Sequence, residues 1–79
     1  MGRKEQSFET TVDVCCHRVA VRFWGFTSKL TPELEAHLTE EGEIRAQECI
    51  IDGCHSGQLV AFNPDTEEEI HGWYEIERD

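Results

Sequence analysis

The 79-residue chain has no long apolar run, little proline, a single methionine and few cations in its second half. No stretch approaches the roughly 20 apolar residues that cross a bilayer, which excludes a membrane-spanning helix. The opening MGRKEQSFET carries charge without a following apolar segment, so neither export nor a membrane anchor is expected. Without an export signal the four cysteines are expected as reduced thiols in a bacterial or host cytosol. The chain also lacks a Gly-rich nucleophile elbow, an oxyanion motif, internal repeats and low-complexity linkers. It reads as one compact acidic domain, residues 1–79, without enzymatic activity.

The cations are scarce and unevenly placed. Residues 1–30 hold Arg3, Lys4, Arg18, Arg22 and Lys29 against three acids, whereas from Thr31 onward only Arg45 and Arg78 face fourteen. Such a surface repels nucleic acid and anionic lipid and attracts basic protein grooves. Excess carboxylate also serves solubility alone.

Apolar residues fall on even positions from Phe8 to Cys16 and on odd positions from Val19 to Phe23. Each segment alternates as a half-buried strand, and the parity change demands a hairpin or a bulge near Cys15 to Arg18. Thr31-Pro32-Glu33 is a helix start, with a capping hydroxyl, a preorganised proline and acids at the positive end of the dipole. Helical character continues to about Asp52, where Gly53 supplies a stop. Thr39 and Gly42 leave open one bent helix or two short ones. Gln58 to Phe62 and Ile70 to Glu77 alternate as strands around the turn residues Asn63-Pro64-Asp65-Thr66. The expected fold is α+β, a mostly antiparallel sheet with helix on one face, ββαββ or βααββ. Trp24, Phe62, Trp73 and Tyr74 enter the expected core with the aliphatic residues, and Cys16 and Cys49 serve there as small hydrophobes.

The polar and aromatic residues admit four chemical readings. Cys15, His17, Cys49, Cys54 and His55 are the residue types that hold zinc, but one cysteine pair is adjacent and the other is separated by four residues, unlike the usual knuckle spacing. A zinc-stabilised structural or regulatory module is the alternative function. Cys54 with His17, His37, His55 or His71 would make a thiol nucleophile and base, with no accompanying oxyanion motif. Asp52-Gly53 lacks the alternating oxygen ligands of a calcium loop. Trp73-Tyr74 offers a stacking platform for bases, but the surrounding acidity disfavours direct nucleic-acid binding.

Surface remains. On a continuous helix Glu33, Glu40, Glu41 and Glu48 share a sector of roughly 100° with Ile44 and Ile51. With Asp65, Glu67, Glu68 and Glu69 in the last loop, these are the candidate partner-binding residues. Charge around a small apolar centre suits a protein interface, although a solvated helix face with two tolerated isoleucines has the same pattern. A homodimer on a second helix face is also compatible.

The second half, from Glu48 to Ile76, resembles the tails of small proteins of bacteriophages and mobile elements. In these a helix ends in glycine, a G-x-L strand follows, here Gly57-Gln58-Leu59, and a final strand carries G-W-[WY]-x-I, here Gly72-Trp73-Tyr74-Glu75-Ile76. The motif is structural, and the cysteines lie outside it. The resemblance implies a phage-type context that includes compact acidic anti-CRISPR inhibitors, some of which mimic DNA. It implies a bacterial protein or ribonucleoprotein complex with a basic groove as partner and supplies no catalytic residues; no cofactor is expected, with zinc as the alternative.

Overall fold

A computed structural model describes residues 5–14 and 16–77. The first two strands, β1 (Gln6–Val14) and β2 (His17–Phe26), form an antiparallel hairpin. Val12 pairs with Val19, Thr10 with Val21 and Phe8 with Phe23. From Ser7 to Val14 an even residue thus faces an odd one, and the parity change becomes two apolar rows on one face. Val14 pairs with His17, and Cys16 in the turn adopts a positive φ of 74°. Cys16 is therefore exposed in the turn and is not the core hydrophobe expected. Near the other end of β2 the register skips Gly25, also at φ 74°. That bulge turns Phe26 back into the core after Trp24 has faced out.

One uninterrupted helix, α1 (Pro32–Ile51), follows. The Thr31 hydroxyl accepts the Leu34 N–H at 3.1 Å, and Pro32 occupies the first turn. Neither Thr39 nor Gly42 breaks it. The Thr39 hydroxyl bonds back to the Glu35 carbonyl at 2.8 Å, which occupies the side chain without capping a second helix. Gly42 is buried, and a Cβ there would lie 2.8 Å from Val21 Cγ1, so its role is close approach of helix to sheet. Leu34, Leu38, Gly42 and Ala46 form the buried stripe. Its strict four-residue spacing makes it narrow, which leaves Ile44 and Ile51 outside. Burying Leu38 alone contributes roughly 1.5–3 kcal/mol.

The helix ends in a paired hydrogen-bond cap. Gly53, at φ 94°, donates to the Ile50 carbonyl at 2.9 Å, and Cys54 donates to the Cys49 carbonyl at 3.0 Å. Strands β3 (Ser56–Phe62) and β4 (Glu69–Ile76) complete a fully antiparallel sheet of order β1-β2-β4-β3. The fold is ββαββ, α+β. Val12, Val14, Val19, Val21, Phe23, Leu59, Ala61, Ile70 and Tyr74 line the helix-covered face. The other face has no covering layer among the described residues. No described helix is long and apolar enough to cross a membrane.

Candidate partner-binding surfaces

The continuity of α1 settles where its acids point. Glu33, Glu40 and Glu48 are exposed, and with them Ile44 (45% exposed) and Ile51 (70% exposed). Glu41 is half-buried and lies 3.9 Å from Arg45 one turn on, a surface pair of little energetic weight. Among the described residues the other helix glutamates have no cation within salt-bridge distance. This row combines two large exposed aliphatic side chains with unneutralised carboxylates, an arrangement able to meet a basic surface that has an apolar centre.

The last loop divides. Asn63 is buried and accepts the Asp65 N–H at 2.7 Å through its side chain, while its backbone exchanges hydrogen bonds with Glu67 and Glu68. Asp65 and Glu67 point to solvent, and a shallow depression lined by Ser28, Lys29, Glu33 and Pro64 joins Asp65 to the start of α1. Glu68 is engaged differently. Its carboxylate accepts the Thr27 N–H at 2.8 Å, the Thr27 hydroxyl at 3.0 Å, the Ser28 N–H at 3.0 Å and the Ser28 hydroxyl. These donors, the Ser28 hydroxyl foremost, pull its pKa down to about 2. Glu68 thus latches the β2–α1 connection to the last loop, a role the spacing of acids did not suggest. Glu69 lies 3.9 Å from His71.

The zinc set is spread over one end of the sheet. His17 opens β2, whereas Cys54 and His55 precede β3, and β4 runs between them: Val19 pairs with Ile76, whose N–H donates to the His55 carbonyl at 3.0 Å. Cys49 is half-buried in the last helical turn, and Cys15 lies outside the described residues. Among the described residues no three His, Cys, Asp or Glu side chains are grouped to hold a metal ion. For the thiol-and-base reading, His37 bonds the Phe62 carbonyl at 2.9 Å, at the far end of β3 from Cys54, and His71 sits within β4 opposite Val60.

The open sheet face corrects the expected core. Trp24 (44% exposed), Phe62 (50%) and Trp73 (38%) lie on it, while Tyr74 alone of the Trp73-Tyr74 pair is buried. Arg22 is the cross-strand partner of Trp73 and pairs with Glu9 at 2.9 Å, and Trp73 Nε1 donates to Glu75 at 3.0 Å. Strand alternation carried the signal: Trp24 and Trp73 fall on the parity opposite to Phe23 and Tyr74.

No protein-family model matches the chain, and no curated protein or solved structure matches it.

Proposed function

We propose that this protein is a non-enzymatic binding module that docks the acidic, isoleucine-bearing face of α1 onto a basic surface of a partner protein. The observation that carries this reading is the exposure of Ile44 and Ile51 among Glu33, Glu40 and Glu48 on an unbroken helix. Asp65 and Glu67 extend the acidic surface at the helix start. Glu41 contributes less free charge because Arg45 is its neighbour, and Glu68 supports the loop from within. Carboxylates steer the approach, and the isoleucines supply the desolvated contact that gives specificity.

The partner class rests on the resemblance to phage-encoded tails. It is a bacterial defence complex whose nucleic-acid groove an acidic, anti-CRISPR-type inhibitor occupies. The test is to recover such a complex from bacterial lysate with the tagged protein and measure whether added protein displaces labelled DNA or RNA from it. Displacement should weaken at high salt and fall at least about tenfold when Glu40, Glu41 and Glu48 are all changed to Lys in a chain that still melts cooperatively. Unchanged displacement by that variant removes the helix face from the argument.

A second reading concerns self-association through the open sheet face. On it Arg18 and Arg22 stand among Glu9, Asp13, Glu69 and Glu75 around the exposed Trp24 and Trp73. For a chain of formal charge -10, this is where a second copy meets less repulsion than on α1. Sedimentation equilibrium should show a dimer that Trp73→Ala weakens. A monomer throughout the micromolar to millimolar range would eliminate it.

A further inference from the structure

The cap of α1 brings the backbones of two cysteines together. Cys49 and Cys54 occupy the positions whose side chains turn toward one another in this kind of helix ending, where a hydrophobic contact usually forms. The backbone sets a limit on their separation. A carbonyl oxygen lies about 2.4 Å from its own Cα and an amide nitrogen about 1.5 Å from its own. Joined in a straight line through the 3.0 Å hydrogen bond, the two Cα atoms are at most about 6.9 Å apart, and any bend shortens this. Disulfides span Cα separations of about 4.4–6.8 Å.

The Cys54 backbone is also fixed from the sheet side. The buried Tyr74 hydroxyl donates to the Cys54 carbonyl at 3.3 Å. Burial first, and then the Cys49 and Cys54 thiols, push the Tyr74 pKa up to about 12. Their accessibilities differ: Cys54 is exposed and Cys49 half-buried. That order suits a sulfur attacked from solution and a second sulfur that resolves it.

We propose that Cys49 and Cys54 form a reversible dithiol–disulfide site that reacts with low-molecular-weight disulfides. The Cys54 thiolate attacks one sulfur of the reagent RSSR, forming a mixed disulfide and releasing RS⁻. The Cys49 thiolate then attacks the Cys54 sulfur, closing the protein disulfide and releasing the second RS⁻. The protein loses two electrons and two thiol protons, and the reagent gains them as two RSH. The closed bridge spans the last turn of α1 and ties the segment after Gly53 to the helix beside Ile51.

The test uses the full chain with Cys15→Ser and Cys16→Ser, shown to melt cooperatively, equilibrated in reduced and oxidised glutathione, acid-quenched and peptide-mapped by mass spectrometry. The expected product is a Cys49–Cys54 bridge exceeding the glutathione adduct at Cys54 by more than about tenfold. Cys49→Ser should instead accumulate that adduct, and Cys54→Ser should remain largely unmodified at Cys49. A persistent adduct at Cys54 with Cys49 intact, or no reaction at either thiol in the oxidised buffer, would overturn the proposal.

Discussion

The two faces of the sheet are made from alternate residues of the same four strands, yet they answer to different constraints. On the covered face Gly72 lies opposite Phe23, Gly57 lies under the Tyr74 ring, and Gly42 of α1 sits against Val21. Small residues there leave room for large neighbours, so volume is the controlled quantity. On the open face Trp24, Phe62 and Trp73 are exposed among charged residues such as Arg22, Glu9 and Glu75. The difference teaches that aromatic content does not locate the core of this protein; the side chains facing α1 do.

Gly72→Ala is the hardest test of the covered face. A Cβ at that position would lie 2.5 Å from the Arg22 carbonyl oxygen and 2.6 Å from Phe23 Cδ1, and the carbonyl belongs to the β2–β4 ladder. Denaturant unfolding should show a loss of roughly 3 kcal/mol. An unchanged midpoint would mean that this face is not tightly packed. Gly42→Ala comes next. Its gain in helix propensity of about 1 kcal/mol opposes the 2.8 Å approach to Val21, and overpacking should win by roughly 1 kcal/mol. Shrinking the neighbour with Val21→Ala in the same chain should relieve the overpacking, giving a favourable coupling in a double-mutant cycle. On the open face Trp73→Ala should change folding stability by no more than about 1 kcal/mol, read by the same titration, whatever it does to self-association. A loss as large as that of Gly72→Ala would erase the distinction between the faces.

The smallest effect concerns the Glu68 latch, at the end of the sheet that both faces share. Its folded pKa of about 2 lies below the ordinary 4.5, so its contribution is complete above pH 4.5 and is lost as the pH falls toward 2. Because the carboxylate is largely at the surface, the effect should be modest. Stability measured from pH 5 to pH 2 should fall more steeply in the native chain than in Glu68→Gln. Parallel profiles would show that the Thr27 and Ser28 contacts do not favour the ionised form.

Much of the fold was legible from local chemistry. Thr31-Pro32 and Gly53 mark the helix ends because capping and left-handed backbone are properties of one or two residues. Strand parity assigned most inward positions for the same reason. The hairpin stayed ambiguous because Cys16 adopts a conformation more usual for glycine or asparagine, so no turn signature was visible. Gly42 read as a helix weakness because its benefit lies in Val21, a residue of another element. Glu68 read as one more surface acid because its partners, Thr27 and Ser28, are 40 or more residues away. For the candidate binding surface, the list of acids was readable, but its division into a free helix row and an engaged loop residue was not.

By itself the sequence determined the acidic second half, the helix boundaries and the alternation of each strand, all properties set by neighbours along the chain. Only the tertiary structure decided which face of the sheet α1 covers, that α1 runs unbroken past Gly42 and that Glu68 latches a distant loop. Each depends on which surfaces meet, and that follows from packing one narrow helix stripe against one face of a sheet, a long-range outcome that local pattern does not encode.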